Sequence, residues 1–453
     1  GPSKQLNNPH GLLYVRSEDL DGQGRLRDGA PIEPLILRAN AGDCIEVELT
    51  NALSYGSDVF LNKDLTYAQP LGTMVPIKLA PSMSVGLQPQ LLSYDALTSA
   101  GTNIGFNSKN QTDQLVKFGQ TKKYQWYAGT IERDATGKLN YTPVEFGTLN
   151  LIPSDPLFQN INGLFGSMVI EPAGSTWKCD AKDAGGNPIQ VDCDDASTVS
   201  RNVPNDAMGA DSSTTASASV HDPIYFTRAS ATITPTDATK QFREFVVMIS
   251  DSINIFQGAT SATTSSVNYR TEPKNFRYAG NSTQDFSCML SNQLIAGAVK
   301  DPQTPIFTAN PGDAVRFRMA HPFGTGTSQV FTVHGHVWQR NPYQKKSQEI
   351  GDNNLSQWLG SRDNHGSTDH FELVLPKAGG EGGRQGDYLY SVFLPGQASL
   401  GAWGIFRVGS NDDALQKNAA CVAPPAALKL VAPPALDPDH ERFLREPVNK
   451  DKP

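Results

Sequence analysis

The stretch LILRANAGDCIEVELTN (35–51) returns later in the chain as IFTANPGDAVRFRMAHP (306–322). Both open on an apolar strand. Both turn at an Asn-x-Gly-Asp step, Asn40 to Asp43 and Asn310 to Asp313, and leave on an alternating strand. In the first copy Ile45, Val47 and Leu49 alternate with Cys44, Glu46 and Glu48, the period of two that marks a half-buried strand. Each copy also closes alike, with GLFGSMVIEP (163–172) and GAWGIFRVG (401–409), where a Gly-x-x-Gly step precedes an alternating strand. Turn and strand recurring together imply two copies of one β-rich domain, each of about 160 residues.

Composition agrees. The chain has 453 residues with 40 glycines and 31 prolines, roughly one residue in six, which suits many short strands and turns. A formal charge of −8 argues against a nucleic-acid partner, because phosphate binding wants a basic face. No apolar stretch approaches the roughly 20 residues of a membrane-spanning helix. The first residues, Gly1-Pro2-Ser3, carry no Met and no leader pattern, so a processed or truncated chain is expected. The boundaries read as a first β domain over 11–175, a linker over 176–240, a second β domain over 241–410 and a Pro-rich tail over 411–453. The linker contains a Ser/Thr-rich segment at 196–219, and the tail is expected to be extended with a helical turn or two near 437–445.

Cysteines bear on the compartment. Cys179 and Cys193 bracket the polar excursion CDAKDAGGNPIQVDC and are expected to form a loop-closing disulfide. Such a bond places the chain in the periplasm or outside the cell. Cys44 is expected to pack inside, and Cys288, beside Met289, reads as structural. Asp180, Asp183, Asp192, Asp194 and Asp195 read as solvated loop charge, since their spacing does not match an EF-hand.

These residues resemble the multicopper oxidase superfamily, and within it the bacterial multi-cupredoxin-domain oxidases related to ceruloplasmin and the manganese oxidases. The resemblance covers most of 11–410. HPFGTGTSQVFTVHGHVWQRNPY (321–343) is similar to the family's His-Pro-x-His-x-His-Gly-His motif, and GDYLYSVFLPGQASLGAWGIFRV (386–408) stands where the family has His-Cys-His. The resemblance implies an all-β fold of two cupredoxin-like Greek-key β-sandwiches plus the Pro-rich C-terminal extension. It does not bring the copper ligands across. Ser391, Val392 and Phe393 fall on the His-Cys-His positions, Gln397 on the following type 1 His and Ala402 on the axial Met. Gln329 and Thr332 fall on the first two ligands of the earlier motif, and only His334 falls on a trinuclear ligand position. In the first domain GTNIGFN (101–107) stands where the family has its first His-x-His, and TLNLIPSDPLFQNINGLFG (148–166), containing Ser154, where it has Cys-His and Met. No histidine occurs from Gly11 to Val220, so a type 1 or trinuclear site cannot be built there.

A metal role survives at one place. His334 and His336 are two residues apart, which on a strand puts both on one face, and His365 and His370 follow closely. Two readings stand: these four converge on one metal, or they are a buried hydrogen-bond network left from an ancestral site. The second is the expectation, with His334 buried near an interface between domains or chains. No catalytic residue and no cofactor are expected in this chain alone, with copper bound only in a larger assembly. The leading functional reading is a copper-depleted structural or assembly part of a multicopper-oxidase-like extracytoplasmic protein, partnered by other cupredoxin domains or chains. The alternatives are an oxidoreductase in which the His334 region completes a copper cluster with another chain, and a secreted binding module. Nothing in the chain alone makes it an enzyme.

Overall fold

The computed structural model describes residues 8, 11–27, 30–53, 82–107, 114–156, 158–183, 186–194, 226–257, 260–277, 288–292, 301–324, 329–392 and 396–409. The Ser/Thr-rich segment and the Pro-rich tail of the sequence reading lie outside them.

The chain is all-β and forms two sandwiches. In the first, Leu35–Asn40, Gly166–Glu171, Gly147–Pro153 and Leu87–Pro89 lie in that order in a four-stranded sheet. Cys44–Thr50, Thr121–Tyr127 and Ser93–Tyr94 form the facing three-stranded sheet. Leu149, Leu151, Met168 and Ile170 from one sheet meet Tyr124, Trp126, Ile45, Val47 and Leu49 from the other. Cys44 is exposed, contrary to expectation. The alternation that turns Ile45 inward turns Cys44 outward with Glu46 and Glu48.

The second sandwich is larger. Phe242–Gln257, Val315–Phe323 and His370–Leu375 belong to a seven-stranded sheet, and Thr260–Val267 pairs with the first of them. Ile306–Ala309, Trp403–Val408, Gly386–Val392, Gln329–Val333 and Ser361–His365 make the opposing five-stranded sheet. Phe245, Phe307, Phe317, Phe406 and Tyr390 stack in the core, with centroids of neighbouring rings 4.9–5.8 Å apart for the three contacts of Phe245. Each such ring pair contributes about 0.5–1.5 kcal/mol beyond its area.

The span read as linker is partly sheet. Thr176–Lys182, Pro188–Asp192 and Phe226–Thr234 are the remaining strands of the seven-stranded sheet. The polar alternation of this hairpin hid it: Lys178, Gln190 and Asp192 face outward while Ala181, Cys179 and Cys193 join Phe226 in a small core of their own.

The internal repeat holds at the level of hydrogen bonds. Leu35–Asn40 runs parallel to Gly166–Glu171, and Ile306–Ala309 runs parallel to Trp403–Val408. The Asn40 N–H donates to the Asp43 carboxylate at 2.8 Å, and the Asn310 N–H to that of Asp313 at 2.7 Å. Gly42 and Gly312 both adopt positive φ, 92° and 86°, as this turn requires. Gly42 N–H donates to Ala128 and Gly312 N–H to Ala378, each at an equivalent place.

The outer face of the first domain's four-stranded sheet packs on the seven-stranded sheet. Ile36, Phe165 and Val169 meet Ala229, Val246, Met248 and Ala320 there. Beside this apolar patch lies a buried ionic network. Arg318 donates to Glu244 at 2.8 Å, to Glu372 at 2.9 Å and to Glu171 at 2.8 Å. Arg38 reaches Glu244 at 2.8 Å, and Glu372 accepts from the Thr148 N–H at 2.6 Å. Charges are placed here because every one has an opposite charge or N–H within reach; an unpaired one would cost several kcal/mol.

Candidate functional site

The positions that would carry copper in the resembled family are brought together, but as a packed core. Gln329–Val333 pairs antiparallel with Gly386–Val392, setting Phe331 opposite Val392 and Thr332 opposite Ser391. The Thr332 and Ser391 hydroxyls meet each other at 3.3 Å. Val392 is buried with Phe331 and Ala402, and its N–H donates to the Ala402 carbonyl at 3.1 Å. The Gln329 amide donates to Asp251 at 2.9 Å. Hydroxyls, an amide and hydrocarbon do not fit a type 1 copper, which needs a thiolate and imidazoles. In the first domain Ser154 Oγ donates to the Ser84 carbonyl at 3.4 Å. Phe393 lies outside the described residues.

His334 and His336 do not share a face. The strand ends at Val333, and Gly335 adopts a φ of 71°, so the alternation that would align them stops. His334 is exposed, whereas His336 is buried. His336 Nε2 accepts from the Gly379 N–H at 2.9 Å. That leaves Nδ1 carrying the proton, donated to the His334 carbonyl at 2.9 Å. Its ring packs against Tyr388 and Phe406. Burial holds its pKa below the ordinary value, the backbone bond opposing weakly. With both nitrogens engaged, His336 is a structural residue.

His365 lies elsewhere, at the end of Ser361–His365, opposite Gln329. It is 1% exposed and faces His321, also 1% exposed, with ring centroids 5.5 Å apart. None of the four nitrogens on these two rings has a hydrogen-bond partner. Asp251 Oδ1 stands 3.8 Å from His321 Nε2. Burial above all, with His321 and Arg362 adding, pushes the His365 pKa down to about 3 against the pull of Asp251. Arg362 itself stacks on Phe371, 5.2 Å from the ring centroid. His370 begins the next strand opposite Ala320, half-buried, with its pKa lowered by burial.

The four candidate ligands His334, His336, His365 and His370 therefore do not converge, and His334, expected to be buried, is exposed. Among the described residues no three His, Cys, Asp or Glu side chains stand close enough to hold a metal ion as they are. What the sequence reading missed is His321 and Asp251. The signal was there: a His-Pro step closing an apolar strand, and an aspartate inside the apolar run Phe242–Gln257.

Cys179 and Cys193 form a disulfide, as expected. Cys288 is also disulfide-bonded, which agrees with a structural role. The nearby aspartates are engaged: Asp180 with Arg243, Asp183 with the Asn187 N–H, Asp192 with the Asp194 N–H and Asp194 with Arg16. Asp195 lies outside the described residues. A cleft of about 1300 Å³ runs between the strand Ile306–Ala309 and the disulfide hairpin, but contains neither His nor Cys among its lining residues.

No protein-family model matches the chain, and no curated protein matches its sequence. Solved structures do. A multicopper oxidase aligns at 14% identity over 84% of this chain and 79% of that one, with a TM-score of 0.41. A copper nitrite reductase from Nitrosomonas europaea aligns at 14% identity over 86% and 90%, with a TM-score of 0.38. A blue copper oxidase from the same organism aligns at 11% identity over 88% and 82%, with a TM-score of 0.38.

Proposed function

We propose that this chain is a copper-ligand-depleted pair of cupredoxin domains serving as a structural or assembly part of a multicopper-oxidase-like extracytoplasmic protein. The observation that carries the reading is the pairing of Thr332 with Ser391 and of Phe331 with Val392. At those positions the resembled family has imidazoles and a thiolate; here they are side chains that bond or pack with each other. Such a pair keeps the sandwich closed without a metal. The disulfide between Cys179 and Cys193 supports an oxidising compartment. The partners proposed are other cupredoxin domains or chains of the same assembly, where the copper would reside.

The experiment is absorption spectroscopy of the purified chain before and after addition of Cu(II). No blue thiolate-to-copper band is expected in either state. A strong band in either one overturns the reading. The alternative, an oxidase half-site completed by another chain, is favoured by one feature, the exposure of His334. Mixing the chain with its purified partner separates the two: loss of oxidase activity in His334→Gln supports the alternative, and unchanged activity supports the structural role.

A further inference from the structure

Two fully buried imidazoles whose four nitrogens all lack a partner are costly features, because a buried polar group left unsatisfied costs about 1–3 kcal/mol. Irregularities gather around them. The register of the long strand slips between Ser250 and Ile253, at Asp251. The register beside His365 slips between Gln329 and Phe331. Asn364, next to His365, holds a φ of 58°, and Thr368, whose N–H donates to the His321 carbonyl, one of 72°. Gly324 lies against the same groups: a Cβ there would stand 2.3 Å from Asp251 Oδ1 and 2.7 Å from His321 Nε2. Bulges and strained residues of this kind re-aim side chains and concentrate at functional sites.

We propose that His321, His365 and Asp251 form a binding site for one divalent transition-metal ion of the zinc class, with Gln329 holding the carboxylate in place. Two imidazoles and one carboxylate are the donors such an ion takes, and the Gln329–Asp251 bond is the outer support that ligating carboxylates ordinarily have. The spacing is close to what the ion needs. Ligand atoms each about 2.05 Å from a tetrahedral zinc stand about 3.3 Å apart, and two imidazoles bound to it have centroids about 5 Å apart. The centroids here are 5.5 Å apart and the His321–Asp251 gap is 3.8 Å. The His321–Asp251 gap exceeds the ligand–ligand spacing by about half an ångström, which side-chain rotation towards the ion would close. The ion takes one nitrogen from each ring and one oxygen from the Asp251 carboxylate.

The site adjoins Gln329, which falls on a copper-ligand position of the resembled family, but its three proposed ligands are not at the aligned ligand positions and include no thiolate. Its filling with Cu(II) therefore gives no blue band, and the proposal can fail while the structural reading stands, or the reverse.

The test is zinc binding by the whole chain, stripped with a chelator, re-loaded with Zn(II), desalted and measured by elemental mass spectrometry. One equivalent of zinc per chain is expected, with a rise in Tm when zinc is added. His321→Gln and His365→Gln should each weaken binding by at least about tenfold, while His334→Gln, at an exposed position, should leave it unchanged. X-ray absorption on the zinc-loaded unmutated chain should show two imidazoles on the metal, a readout that does not depend on any variant folding. No retained zinc in the unmutated chain, zinc without imidazole scattering, or equal loss in His334→Gln would each overturn the proposal.

Discussion

The sharpest consequence of the domain junction is a proton held at Glu171. Two guanidiniums, Arg38 and Arg318, face three carboxylates there, Glu171, Glu244 and Glu372. Burial and the neighbouring Glu244 raise the Glu171 pKa well above 4.5, while Arg38, Arg318 and a hydrogen bond from Glu171 overcome burial and keep Glu244 low. Glu171 Oε1 has no hydrogen-bond partner and stands 3.7 Å from Arg38 Nε, so no hydrogen bond to this oxygen opposes its carrying the proton. The folded chain thus keeps a proton that the unfolded chain releases above about pH 4.5. The stabilisation from this group is complete below that pH and falls as pH rises, by about 1.4 kcal/mol per pH unit, until the folded pKa is passed. Glu171→Gln removes the titration and keeps the geometry: the amide oxygen accepts from Arg318 and the amide nitrogen donates to Glu244. Its stability relative to the unmutated protein should rise as pH rises from about 5 to about 8. Urea unfolding followed by tryptophan fluorescence across that range measures both slopes. Parallel pH profiles, or a variant that loses stability relative to the unmutated protein as pH rises, would refute the shared-proton argument.

Arg318→Met leaves three buried carboxylates without their common partner and should cost about 3–5 kcal/mol, read as a fall in Tm; an unchanged Tm would contradict the network. Replacing Cys179 and Cys193 by Ser opens a loop of 14 residues and should cost about 3 kcal/mol in urea unfolding. Intact mass after alkylation without reductant should show both thiols protected in the unmutated chain. His336→Ala removes the acceptor for the buried Gly379 N–H and should cost about 1–3 kcal/mol. His336 and His365 stay neutral in the fold, so the unfolded chain takes up protons they refuse, and stability should fall as pH drops below about 6.5; acid-side unfolding that is no shallower in a variant lacking both would count against this.

The two-domain plan was legible because it rests on local chemistry. An Asn-x-Gly-Asp turn needs the glycine's positive φ and the aspartate's bond to the asparagine N–H, and both copies carry the full set. The strands around it bury alternate residues, and alternation is a property of neighbouring positions. The disulfide hairpin was less legible. Its strands are short and polar on one face, and only pairing with Phe226–Thr234, across undescribed residues, gives them a sheet to join.

The site was illegible for a different reason. Motif reading follows residues that stand close in sequence, and it led to His334 and His336, where the chain leaves its strand at Gly335 and parts the two rings. The pair that does meet, His321 and His365, joins the ends of strands in opposing sheets, with Asp251 brought in by a slip of register that no periodicity announces. The contrast between the two places bears on what the chain retained. At positions aligned with copper ligands, Thr332 meets Ser391 and Val392 packs with Phe331. Paired hydroxyls and hydrocarbon leave no unsatisfied polar group there and so carry no cost of this kind. Around His321 and His365 the cost has not been removed. Leucine at either ring would remove that cost at nearly constant volume, and the ion proposed for His321, His365 and Asp251 would remove it by giving each ring a partner.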